Sequence, residues 1–333
     1  MTAQVRILPS GHEFVSEGNS NLLEAGLRAG LRLGYGCSNG NCGKCLARVV
    51  SGEVQKVRPH DYVINRQEKA SGHLLMCCNR AVSDVVLQAG EASSADEIAQ
   101  QQIIAKVKNI NIVNDNVALI HLRTPRTNRL RFLAGQHVQL GGNGMPTASY
   151  PVGSCPCDDM HLHFQIPRQA GNEFSDHVFN ILRNGDPVEI NGPMGNFILD
   201  EDSPRPLIFI AQRTGFGPIR SLVEHAMALE VAQAMHLVWV AENKESRFLD
   251  NLCRSWADAL DDFQYVPLDN DPDKTTTDLV QKIIHQLNIG SGKLADYDCY
   301  IAATDTFVTA CKRSMIGSGL PQKQLNVDRL AYT

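Results

Sequence analysis

The sequence predicts a multidomain chain of α+β and α/β character: a small β-grasp-like unit, a small antiparallel β-barrel, and a doubly wound parallel domain. Three observations carry this. At 333 residues the chain is too long for one ordinary hydrophobic core. From 102 to 203 short strand patterns are separated by turn residues, as in a barrel. From 204 to 333 apolar strand runs alternate with helical stretches, the rhythm of a parallel sheet wrapped by helices.

Composition sets outer bounds. Hydrophobic residues make up 43% and charged residues 20%, as in a soluble globular protein. A net charge of −5 argues against a nucleic-acid partner. No apolar run approaches a membrane span, and residues 1–20 lack a basic and apolar export signal. Ten cysteines without such a signal point to a reducing compartment, so a cytoplasmic location is expected.

In chain order, Gln4-Val5-Arg6-Ile7-Leu8 reads as a strand, with a hairpin turn at Gly11 and His12. Asn21 and Glu24 have capping-box spacing at the start of a short helix carrying Leu23 and Leu27. Strands at 44–50 and 83–87 complete a domain over 1–90. Residues 91–101, EASSADEIAQQ, are small, polar and acidic and read as a semi-flexible linker. Barrel strands are expected at 117–122, 132–140 and 161–166. In the last domain, strands at 207–211, 236–241, 263–268 and 297–303 alternate with helices at 218–231, 247–259, 276–287 and 306–316.

The chemistry concentrates in Gly36-Cys37-Ser38-Asn39-Gly40-Asn41-Cys42-Gly43-Lys44-Cys45. Cys37, Cys42 and Cys45 have C-x4-C-x2-C spacing, and Cys77 stands alone further on. This is the plant-type [2Fe-2S] ligand pattern. Two sulfide-bridged irons require four thiolates, and glycines let the loop turn its N–H groups toward the sulfurs. Zinc sites favour two paired knuckles, and disulfide frameworks favour short secreted chains; neither suits this pattern. Cys78 adjoins Cys77, and Cys77 is taken as the fourth ligand because it shares an extended face with Leu75.

Over essentially its whole length the sequence resembles the ferredoxin-fused members of the ferredoxin–NADP reductase superfamily. These are the reductase components of bacterial oxygenases and the CDP-6-deoxy-glucoseen reductase type, which the Cys77-Cys78 pair resembles. The resemblance implies a ferredoxin domain, a flavin-type barrel, a nucleotide-type domain, and the cofactors [2Fe-2S], FAD and NAD(P)H. It also implies an NAD(P)H-dependent oxidoreductase that hands electrons to a partner protein.

The motifs carry over unevenly. The family's Arg-x-Tyr-Ser flavin motif is matched by Ala148-Ser149-Tyr150-Pro151, which keeps Tyr150 alone. Gly171 to Ser175 resembles the family's phosphate-cradling turn, and Gly192 and Gly195 match its Gly-Pro-x-Gly turn. The nicotinamide loop Gly-Gly-x-Thr-Gly-x-x-Pro is matched at Thr214, Gly215 and Pro218, with Ala211 and Gln212 in place of glycines. Ala302-Ala303 stands where the family has Cys-Gly, and Tyr332 stands for its C-terminal aromatic.

These departures favour an electron-transfer protein with a working cluster, a flavin site whose occupancy is open, and direct NAD(P)H oxidation in question. The alternatives are an active NAD(P)H:FAD:[2Fe-2S] reductase, or a binding subunit with a structural or sensory cluster. The expected partner is an oxygenase, a deoxygenating enzyme or a similar redox protein. Among smaller signals, Cys155 and Cys157 read as free loop thiols, His161 and His163 as a strand-face pair, and Trp239 as core. Arg213 is placed to meet a phosphate or to pair with a carboxylate, and both readings stay open.

Overall fold

The computed structural model describes residues 2–92, 94–142, 144–230, 234–287 and 293–330. Tyr332 lies outside them. Among the described residues, the sheets follow the three expected regions.

The first sheet runs in the order Glu13–Glu17, Thr2–Leu8, Val85–Gln88, Leu46–Ser51 and His73–Leu75. Thr2–Leu8 and Val85–Gln88 pair in parallel and the other neighbours antiparallel, the mixed order of a β-grasp. The helix Leu22–Arg28 packs Leu22, Leu23 and Leu27 against this sheet. Asn21 Oδ1 accepts from the Glu24 N–H at 2.9 Å, which provides one arm of the expected capping box.

The second sheet is antiparallel throughout: Met145–Pro151, His137–Gly142, Pro187–Met194, Gln101–Val113, Val117–Arg123 and His161–Pro167. The strand expected over 132–140 begins only at His137. Gly135 there takes φ +89°, and a Cβ on it would meet the Phe197 carbonyl oxygen at 2.0 Å, so a tight turn displaces the strand.

The third sheet is wholly parallel, in the order Phe263–Asp269, Met235–Ala241, Leu207–Gln212, Asp298–Ala303 and Leu325–Arg329. The order reverses between Leu207–Gln212 and Asp298–Ala303, so a ligand crevice is expected at the carboxyl ends of that pair. Helices Phe216–Leu229, Asp250–Ala259, Thr276–Gln286 and Asp305–Gly317 cover the faces.

The connecting segment is tied down rather than loose. Glu91 bridges Leu33, Ala92 N–H donates to the Arg32 carbonyl at 2.9 Å, and Ala92 and Ile98 pack on Leu133. Glu91, Ala92 and Ile98 of the expected linker thus contact both flanking domains. The junction centres on Glu201. Its Oε1 accepts from Arg32 Nε at 2.6 Å and from His225 Nε2 at 2.7 Å. Arg32 also donates to the Leu199 carbonyl at 3.0 Å, and Arg131 donates to the Arg32 carbonyl at 3.1 Å. One carboxylate thus joins all three domains.

Burial alone would raise the Glu201 pKa, but the hydrogen bond and charge of His225, followed by those of Arg32, hold it below the ordinary value. A lowered folded pKa contributes stability that is present above the unfolded pKa, near 4.3, and is lost as pH falls through the folded pKa. Glu201→Gln leaves the largely buried Arg32 without its counter-charge, so a loss on the order of 2 kcal/mol is expected at pH 7. The gap to wild type should close as pH falls below about 4. Thermal unfolding midpoints of both proteins across pH 3–8 check this, and a gap that stays constant with pH refutes the ionic account.

Candidate functional site

The cysteine loop forms because left-handed residues let it curl. Ser38, Gly40 and Gly43 have φ of +52°, +92° and +76°. Two of these need glycine for space as well. A Cβ on Gly40 would meet His60 at 2.6 Å, and one on Gly43 would enter the Tyr62 ring at 2.2 Å. The segment carrying His60 and Tyr62 closes over the loop, with Tyr62 N–H donating to the Gly40 carbonyl at 3.0 Å. Arg58 donates to the Ser38 carbonyl at 3.2 Å.

The structure pairs Cys37 with Cys42 and Cys45 with Cys77. Asn41 and Cys42 N–H groups donate to Cys37 Sγ at 3.3 and 3.2 Å; Cys37 and Lys44 N–H groups donate to Cys42 Sγ at 3.4 and 3.5 Å. Cys45 and Cys77 Sγ lie 3.2 Å apart. In the free thiol state the hydrogen bond with Cys77 brings Cys45 down to about 7, while the same contact and burial push Cys77 well up. Ser38 Oγ is buried without a hydrogen-bond partner, a spare donor at the edge of the loop. Four thiols, inward N–H groups and an orphaned hydroxyl fit a sulfide-bridged cluster. Cys45 and Cys77 are buried while Cys42 is exposed, so the site has one edge in the core and one at the surface.

The flavin-type residues separate into two groups. Tyr150 is buried, its ring 5.1 Å from that of Phe174, and burial pushes its hydroxyl up to about 12. It borders a groove of about 410 Å³ with Ala148, Ser149, Gln169, Gly171 and Asn172. The lining is polar but uncharged, which accommodates a flavin while offering its phosphates no cation. Ser175, fully buried, accepts from Gln169 N–H at 3.0 Å and donates to the Pro167 carbonyl at 3.1 Å, and so shapes the turn that walls the groove. Gly192 and Gly195 lie elsewhere. A Cβ on Gly195 would meet His137 Nδ1 at 2.8 Å and one on Gly192 would meet Val138 at 2.9 Å, so both serve close strand packing.

The nicotinamide-type residues converge on the sheet's switch point. Gly215 abuts the Ala302 carbonyl, which a Cβ would approach to 2.1 Å. Pro218 sits in the first turn of Phe216–Leu229, where its missing N–H costs nothing. Thr214 and Arg213 line a cleft of about 610 Å³ with Arg168, Gln169, Glu242 and Phe248. This cleft shares Gln169 and Ala170 with the Tyr150 groove, so the two run together. Arg213 takes φ +53°, ion-pairs with Glu242 and accepts on its carbonyl from Trp239 Nε1 at 3.0 Å. Of its two readings, the structure displays the carboxylate pair. Gln212 Oε1 accepts from Thr304 N–H at 3.1 Å and Thr304 Oγ1 at 2.9 Å, spanning the crevice between the two central strands.

Sequence reasoning missed Glu242, Arg168 and the Gln212–Thr304 bridge. Glu242 was findable, since it follows the second strand of a nucleotide-type sheet, where a ribose-facing carboxylate is common. The others depend on contacts between distant segments. The smaller expectations divide. Trp239 is core and stacks on Phe216 with ring centroids 3.9 Å apart. Cys155 and Cys157 are joined in a disulfide rather than free, because the loop brings their Cα atoms to 5.1 Å. His121 pairs across from His163, with ring centroids 4.7 Å apart. No helix of the described residues is long and apolar enough to cross a membrane.

Comparison with known proteins covers each part. Residues 5–82 match the 2Fe-2S iron-sulfur cluster binding domain family, 104–198 the oxidoreductase FAD-binding domain family, and 209–313 the oxidoreductase NAD-binding domain family. The chain is 29% identical over 329 residues to the CDP-6-deoxy-L-threo-D-glycero-4-hexulose-3-dehydrase reductase of Yersinia pseudotuberculosis, covering 98% of both. It is 26% identical over 332 residues to terephthalate 1,2-dioxygenase reductase component 1 of Comamonas sp, covering 99% and 98%. Among solved structures, the Amycolatopsis cytochrome P450 reductase GcoB shares the fold at TM-score 0.61 and 24% identity, with 98% of each chain covered. The question raised against nicotinamide use by Ala211 and Gln212 gains no support here, since the NAD-binding match spans that region. The chain thus carries a 2Fe-2S cluster binding domain, an oxidoreductase FAD-binding domain and an oxidoreductase NAD-binding domain in one polypeptide, and is similar over its whole length to a hexulose-dehydrase reductase and an oxygenase reductase component.

Proposed function

We propose that the protein is the reductase component of a two-protein system, taking electrons from NAD(P)H and delivering them singly from its [2Fe-2S] centre to a partner enzyme. That partner is an oxygenase, a deoxygenating enzyme or a similar redox protein, and the setting is the cytoplasm. The observation that carries this is the cysteine site itself. Cys45 and Cys77 are paired against the core and Cys42 lies at the surface, so charge arriving from inside has an outward edge to leave by. The relatives named as dehydrase and dioxygenase reductases support the same direction of flow.

When bound, FAD supplies the conversion between a two-electron donor and a one-electron cluster. The chain's own part is placement. The Tyr150 groove and the turn held by Ser175 orient one ligand. Thr214 and the switch-point crevice position the other against it, since the two cavities meet at Gln169 and Ala170.

A second reading draws on a specific observation. The Gln212 side chain spans the crevice to Thr304, and no cation lines the Tyr150 groove. On that reading the cluster is fed by another protein, and NAD(P)H is used poorly or not at all. A third reading is a binding subunit with a merely structural or sensory cluster, and a reversible low-potential couple on titration would count against it.

The visible spectrum of anaerobically purified protein decides among these. Flavin bands that bleach with stoichiometric NADH or NADPH are the expected result. Cluster absorbance that responds to dithionite but to neither nucleotide refutes direct oxidation. Gln212→Gly is expected to lower the KM for the nucleotide by roughly tenfold, the worth of one or two hydrogen bonds that the ligand no longer displaces. An unchanged KM shows that Gln212 does not obstruct the site.

A further inference from the structure

The cysteine site leaves one thiol out of its ligand set. Cys78 closes the short turn Met76–Cys78 and is fully buried. Its Sγ lies 3.6 Å from Cys77 Sγ. It also faces the cysteine loop: a Cβ built on Gly40 would come within 2.8 Å of it. The thiol is therefore wedged between the fourth ligand and the backbone of the loop that carries the first three. The other buried thiols have different company; Cys299 Sγ, for example, lies 3.8 Å from Met315 Sδ in the third domain's core.

The ligand sulfurs also differ in their donors. Backbone N–H groups reach Cys37 and Cys42. The neighbours recorded for Cys77 Sγ are the sulfurs of Cys45 and Cys78. A metal-bound Cys77 carries lone pairs and no proton. Its contact with Cys78 then has one polarity, with the Cys78 S–H donating. A hydrogen bond to a ligand sulfur draws off negative charge, stabilises the reduced and more anionic cluster, and raises its potential.

We propose that Cys78 is a positioning residue for the cluster: its thiol donates to Cys77 Sγ and holds the reduction potential above the level the backbone N–H groups set alone. The proposal rests on the cluster reading, and the experiment keeps the two apart. Full-length wild type, Cys78→Ser, Cys78→Val and Cys78→Ala are purified anaerobically, their cluster absorbance is measured, and each is titrated electrochemically. Wild type without cluster absorbance overturns the cluster reading itself. With the cluster present, all variants should keep it. Cys78→Val and Cys78→Ala should both shift to a more negative potential, and Cys78→Ser, whose hydroxyl still donates, should stay near wild type. Resonance Raman in D2O should move the iron–sulfur stretching bands of wild type further than those of Cys78→Ala, whose remaining shift comes from the backbone N–H donors on Cys37 and Cys42. Should Cys78→Val fail to assemble, Cys78→Ala carries the same comparison without added bulk. Equal potentials in wild type and Cys78→Ala overturn the proposal. So does a cluster that survives Cys77→Ser but is lost in Cys78→Ala, because Cys78 is then the ligand.

Discussion

Each domain has its own hydrophobic core, but an electron path needs the domains fixed against one another, and one largely buried carboxylate, Glu201, touches all three. Glu201 receives Arg32 from the first domain and His225 from the third, on a segment that leaves the barrel. Apolar packing is non-directional and tolerates sliding; charge-assisted hydrogen bonds do not. Electron transfer falls steeply with distance, so a junction that specifies geometry matters more here than one that adds stability. This agrees with the general finding that buried ion pairs add little net stability yet cost several kcal/mol when one partner is removed. The connecting segment at Glu91 and Ala92 reinforces the same contact by pinning the Arg32 backbone.

A second constraint acts inside the first domain. Four sulfurs must be gathered before any metal is there to neutralise them, and gathered thiolates repel. The loop answers with geometry. Ser38, Gly40 and Gly43 turn the chain, His60 and Tyr62 close over it, and N–H groups point inward. The Gly40 and Gly43 contacts show how little room is left: a single methyl at either position would collide with a neighbouring side chain. Tight packing of this kind keeps donors at fixed distances from the sulfurs, which is how a protein sets a cluster's potential.

The 2Fe-2S domain and the three-part fold were legible because each rests on local pattern. Cys37, Cys42 and Cys45 are spaced by chemistry within ten residues, and the alternation of apolar runs and helices after 204 is a periodicity. The strand expected over 132–140 failed because Gly135 is needed for an approach to Phe197, a contact sixty residues away that composition does not reveal. The linker at 91–101 looked loose for the same reason. Its small polar residues say nothing of Leu33 and Leu133, which hold it. Gly192 and Gly195 matched a family turn yet serve strand packing against Val138 and His137, since a glycine pattern alone does not tell close backbone packing from ligand approach.

The substitutions at the nucleotide crevice and the family-wide NAD-binding match are compatible once magnitudes are compared. A nucleotide entering the crevice must displace the two hydrogen bonds from Thr304 to Gln212, each worth about 1 kcal/mol net. It must also loosen the Arg213–Glu242 pair, which at about half exposure contributes at most about 1 kcal/mol. Together that is about 2–3 kcal/mol, or one to two orders of magnitude in affinity. Micromolar binding corresponds to about 8 kcal/mol, so such a loss weakens a site without erasing it. The displaced Arg213 guanidinium would then be free beside Thr214, at the helix end where an anionic ligand is favoured. A side-chain plug of this size would raise the nucleotide concentration needed to fill the site by the same one to two orders of magnitude.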